Sequence, residues 1–185
     1  MVNNGNDARM KEILLERGRL IQPPTSESKP TGIGTVRFYT DCENDCEMVL
    51  NRVKEVMKII NAQSDHWPSI EQWLIRLPDW FVQQCSPELT EADKEKLRQK
   101  WAEMSWEEKQ NTPVDDNWRL SAFVEWFRPE NREWFWWDAA VYNYEDGRQY
   151  IGVAVVVLGW PFPWGALKWL FKAAGAINLE PEEDI

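Results

Sequence analysis

The dipeptide Asp146-Gly147 stands between two runs of β-forming residues, 133–144 and 149–158. Asp-Gly between such runs is a strong short-range hairpin signal, because glycine supplies the positive φ that a tight turn needs. Both runs are too apolar to lie in water on two sides. They therefore constrain the chain to an antiparallel sheet with at least one covered face. Residues 120–127 alternate upstream of the turn residues Pro129, Glu130, Asn131 and Arg132, and read as a further strand. Residues 35–39, Thr-Val-Arg-Phe-Tyr, supply a short fourth.

The rest of the chain reads as helix. Cys42, Cys46, Val49, Leu50, Val53, Met57 and Ile60 recur at helical spacing behind a capping pair, Thr40 and Glu43. Ser69 with Gln72, Thr90, and Ser105 with Glu108 mark further helix starts, and Pro78 interrupts the helix that begins at Ser69. Leu97, Trp101 and Met104 give the helix opened by Thr90 an inward side. Trp164, Leu167, Leu170, Phe171 and Ala174 share one side of a last helix, and Gly175 suits its end. The expected fold is α+β: a helical N-terminal and middle region on a three- to four-stranded antiparallel sheet, closed by a C-terminal helix. Residues 1–31 read as a loosely attached helix and linker, 32–178 as a single domain, and 179–185 as an acidic tail.

Composition narrows the function classes. The formal net charge is -10, and residues 41–117 alone hold 17 acids against 9 bases. Such a surface repels phosphate backbones, so nucleic acid is not an expected partner. Residues 151–167 carry no charge, but Gly152, Gly159, Pro161, Pro163 and Gly165 break them into a strand and a turn. No membrane partner is expected. Three cysteines are too few and too odd for a disulfide framework and suit a reducing cytoplasm. Cys42 and Cys46 continue an apolar stripe and read as packing residues, with no second half of a metal site. His66 is the single histidine, in a turn with no nucleophile beside it. The tetrad from Gly32 to Thr35 lacks the lysine of a phosphate loop. No cofactor or metal is expected.

Two-residue loops would pair Arg128 with Glu133 and Glu145 with Arg148, and would sort the meander into two faces. The charge-free face, with Leu120, Ala122, Val124, Trp126, Phe135, Trp137, Ala139, Val141, Gly152, Ala154, Val156 and Leu158, is the expected core. The other face carries Phe123, Glu125, Trp134, Trp136, Asp138 and Tyr142, the expected ligand- or partner-binding residues. Aromatic rings beside carboxylates suit protein recognition. The expectation is a small acidic, cytoplasmic, microbial interaction protein of the inhibitor or immunity type. Its partner would be another protein, basic in surface, or a second copy. A Trp-lined small-molecule pocket and a hydrolase using Glu125 with Asp138 are the alternative readings.

Overall fold

The computed structural model describes residues 4–111 and 117–182. Its elements in order are α1 (Asn4–Arg19), β1 (Gly34–Asp41), α2 (Cys46–Ala62), α3 (Ile70–Arg76), α4 (Asp79–Val82), α5 (Glu91–Glu103), α6 (Trp106–Asn111), α7 (Leu120–Glu125), β2 (Trp134–Asn143), β3 (Gln149–Val157), α8 (Gly165–Ala174) and β4 (Glu180–Pro181). One antiparallel sheet runs in the order β2-β3-β1-β4. The α+β reading holds. The expected helix end at 111–113 lies partly outside the described residues, as do the last residues of the tail, 183–185.

Local chemistry sets the helix boundaries. Ser69 and Gln72 form a reciprocal capping box on α3. The Thr90 hydroxyl accepts from the Asp93 amide at the start of α5. Pro78 separates α3 from α4, and Gly175 ends α8 with φ +111°. The start of α2 is a correction: Asp45, not Thr40, caps it, accepting from the amides of Glu47 and Met48. Thr40 remains in β1, its position fixed by pairing with Ile151. Cys42 therefore lies outside the helix and is disulfide-bonded to Cys46, with Cα atoms 5.5 Å apart. Helical spacing alone does not reveal that the chain turns between these residues. Leu97 and Trp101 of α5 are about half exposed, and no residue of that helix is buried. A stripe this narrow, flanked by lysines and glutamates, is not wide enough to seat a helix in a core.

Residues 120–127 correct the sequence reading most. They contain the short helix α7, not a strand. Phe123 is fully buried there, in a ring cluster with Phe81, Phe127 and Trp169. Alternation over six residues cannot be told from one and a half helical turns when both bury the same large side chains. The sheet gains β1 instead, which lies between β3 and β4.

The β2–β3 hairpin forms at Asp146-Gly147 with a different register. Gly147, at φ +86°, donates to the Tyr144 carbonyl, and the Tyr144 amide donates to the Arg148 carbonyl. The loop therefore spans three residues and Asn143 faces Gln149. A bulge at Trp137 then shifts the pairing again, from Asp138–Ala154 to Trp136–Val155. Each one-residue shift exchanges faces. The core face consequently holds Trp134, Trp136, Ala139, Val141, Ile151, Val153, Val155 and Val157, with Phe38 and Thr40 from β1. This reverses the expected assignment for β3 and for the first part of β2. Absence of charge did not identify the core, because both faces are largely apolar. Helices α2 and α8 cover the core face, with Trp136 stacked parallel to Phe171 at 6.5 Å.

The opposite face is covered over part of its area by α1. Ile13 packs on Phe135 and Val156, with Met10, Trp137 and Leu158 around them. Helix α1 packs on this face: Ile13 is buried, and so are Glu12 and Glu16. Glu16 sits at the centre of a polar network. Its Oε1 accepts from Arg132 Nη2 (2.7 Å) and from the Trp136 amide (2.6 Å), and its Oε2 accepts from Asn61 Nδ2 (2.6 Å). Arg19 bonds Glu12 at 3.0 Å and donates to the Trp136 carbonyl at 3.3 Å. The acidic residues that make α1 look solvated by composition are the groups that attach it.

Gly32 closes the linker onto the sheet at φ +71°, and a Cβ there would lie 2.4 Å from the Val157 carbonyl oxygen. Gly32→Ala is expected to destabilise the fold by about 1–3 kcal/mol, from left-handed strain together with the backbone clash. Thermal unfolding measures it, and a shift within about 0.5 kcal/mol would show that residues 32–34 move freely away from β3.

Candidate functional site

Beyond α1 the second face of the sheet stays open. The alternation of β1 turns Thr35, Arg37 and Tyr39 toward it, opposite Val156, Ala154 and Gly152. Strand β2 contributes Asp138 and Tyr142, and β3 contributes Tyr150. Together with Trp137 and Glu182 they line a shallow depression of about 330 Å³. Its floor is low because Gly152 and Ala154 carry almost no side chain. The Tyr142 ring lies directly over Gly152, where a Cβ would come within 2.9 Å of Cε2. Tyr142 also stacks on Tyr150 at 5.3 Å, and Tyr150 packs against Tyr144 at 4.6 Å. The Tyr144 hydroxyl donates to Asp41 Oδ1 at 3.0 Å. Partial desolvation and this bond raise its pKa and keep the donor in place.

Tyr39 is 42% exposed and Tyr142 48% exposed. The Tyr142 ring is held by its stack on Tyr150 and by Gly152 beneath it, so it presents area to a partner with little rotamer freedom left to lose. Arg37 and Glu182 approach to 4.0 Å at the rim, an exposed and weak pair. The Asp138 carboxylate has no ion pair or hydrogen bond among the described residues. Arg19 lies over the Trp137 ring at 4.6 Å, at the border with α1.

Of the residues singled out by sequence, the structure brings Asp138 and Tyr142 together here. Phe123, Trp134 and Trp136 are buried under the helices. Glu125 is exposed on α7, held by Arg128 at 2.7 Å and by Asn131 at 3.0 Å. Glu125 and Asp138 sit on separate elements, with no bond between them. Arg37, Tyr39 and Tyr150 were missed. The alternation of residues 35–39 was the signal for the first two, once β1 is placed beside β3.

Little else in the described residues offers chemistry. No group of three or more His, Cys, Asp or Glu side chains is arranged to hold a metal. His66 is exposed in its turn. Burial, with the charge of Glu88, pushes the Cys85 thiol up to about 12, so it stays protonated and is a poor nucleophile at neutral pH. A second depression of about 410 Å³ lies between the start of α2 and the end of α8. Its Arg52 is engaged with the Ala174 carbonyl and the Trp80 ring. No helix among the described residues is long and apolar enough to cross a membrane.

The site thus defines an α+β protein with a half-covered sheet and a rigid tyrosine surface on the uncovered half. Comparison with protein families, curated proteins and solved structures finds no match to this chain.

Proposed function

We propose that this chain is a small acidic protein-binding module, of the inhibitor or immunity type, whose contact surface is the open half of its sheet. The observation that supports this most is the cluster of exposed Tyr39 and Tyr142 with half-buried Tyr150 on a strand framework, with Arg37, Asp138 and Glu182 around it. Tyrosine at the centre and charges at the rim match the anatomy of recognition surfaces. The depression is shallow, which suits a protruding side chain of a partner better than a fully enclosed small molecule. The net charge of -10 would steer a basic partner toward it. A cytoplasmic setting is part of the proposal. The free Cys85 thiol is consistent with it, whereas the Cys42–Cys46 disulfide would be reduced there.

A photo-crosslinking side chain at position 142, with one at exposed Ile75 as control, tests the reading in cells. Position 142 is expected to trap a protein that position 75 does not. Replacing Tyr39 and Tyr142 together by alanine is expected to weaken that purified partner by roughly 30-fold or more, the scale of one strong hot spot. Identical adducts from both positions, or an unchanged affinity in the double variant, would overturn the proposal.

A further inference from the structure

The sheet has two edges, and the chain treats them differently. On one side β4 is two residues long and ends in Pro181, which has no amide to offer. On the other side β2 is ten residues long and pairs only with β3. The first half of its free edge is sealed by side chains. Arg132 Nε donates to the Trp134 carbonyl at 3.1 Å, Glu16 accepts from the Trp136 amide, and Arg19 donates to the Trp136 carbonyl.

Beyond the bulge the sealing stops. Tyr144 and Arg148 form a hydrogen-bonded pair, so alternation makes Tyr142–Tyr150, Ala140–Gly152 and Asp138–Ala154 the bonded pairs of the ladder. The N–H and C=O groups of Ala139, Val141 and Asn143 then point away from β3. None of them has a backbone or side-chain partner among the described residues. Ala139 is buried, so the accessible part of this edge is residues 140–143, about 13 Å long. That edge borders the tyrosine depression through Asp138 and Tyr142.

We propose that this open edge receives an extended, basic segment of the partner protein as an added strand. The inference rests on the protein-binding reading above and specifies how the partner is held. Strand addition supplies backbone hydrogen bonds for affinity, and alternate side chains of the added segment give specificity. On one face those side chains fall beside Asp138, Ala140 and Tyr142. Asp138 and Glu145 flank the edge without an ion pair among the described residues, which selects lysine or arginine in the added segment. The same charges disfavour a second copy, which would bring two sets of these acids along one seam.

The test uses the full chain, immobilised, against phage-displayed random linear peptides. Recovered peptides are expected to alternate basic and apolar residues. Binding should slow amide exchange at Val141 and Asn143, whose unpaired amides are expected to exchange quickly in the free protein. Val141→Pro removes an amide that faces away from β3, so it leaves the ladder intact while blocking the edge. It should weaken a recovered synthetic peptide about tenfold or more, as expected for one or two backbone hydrogen bonds lost. Should that variant fail to fold, Asn143→Pro serves at the neighbouring outward position. Peptides that bind Val141→Pro as well as the parent and perturb only the tyrosines would overturn the edge and leave the tyrosine surface standing. A concentration-dependent dimer that Val141→Pro abolishes would make a second copy the occupant and overturn the partner. Recovery of no peptide would also overturn the strand-addition inference, while the crosslinking at position 142 decides the wider reading independently.

Discussion

Glu16→Ala should lower the stability of this protein by about 3–5 kcal/mol, the range found when one member of a buried charged pair is removed. The side chain of Glu16 is fully buried, and that of its partner Arg132 is 2% exposed. Truncation leaves the Arg132 guanidinium with no carboxylate, in a site walled by Phe127, Trp134 and Phe135 with ring centroids about 5 Å away. It also orphans the Trp136 amide and the Asn61 side-chain amide, and each lost partner carries its own desolvation penalty. A typical domain has about 5–15 kcal/mol in total, so the change takes a large share of it. Urea unfolding of parent and variant measures the loss. A second arm separates pairing from packing: in Glu16→Leu/Arg132→Met both charges go, and the double variant should recover part of the single-variant loss. A Glu16→Ala variant within about 1 kcal/mol of the parent would show that α1 is not attached through this network.

This network is also where sequence reading reached its limit. The glutamates of α1 look like solvated surface, since acids are almost never fully buried unless paired. The partner of Glu16 is 116 residues away, beyond any local pattern. The hairpin at Asp146-Gly147, the α3 capping box, the Pro78 break and the Gly175 stop were legible because each depends on a few adjacent residues. The faces of β2 and β3 were not. They turn on one extra residue in the loop and one bulged residue at Trp137, and neither changes the composition of the strands. With apolar side chains on both faces, the pattern could not reveal either slip. The candidate site was half legible for the same reason. Asp138 and Tyr142 lie after the bulge, on the open face. Trp134 and Trp136 lie before it, on the core face.

That division separates two kinds of substitution. Trp136→Ala is expected to destabilise the protein by about 3–5 kcal/mol, as for other large aromatic side chains removed from a core. The Trp136 ring is fully buried against Phe171, and the surrounding sheet and helices cannot close over a space of that size. Tyr142→Ala removes a half-exposed ring from the surface. Its cost should stay near 1 kcal/mol or below, from the Tyr150 stack and the cover over Gly152. Chemical denaturation reads both on one scale. If Trp136 were instead a recognition residue on an open face, its loss would spare stability and Tyr142 would not differ from it. Equal, small effects at the two positions would therefore contradict the bulge at Trp137 and, with it, the placement of the site on the far side of the sheet.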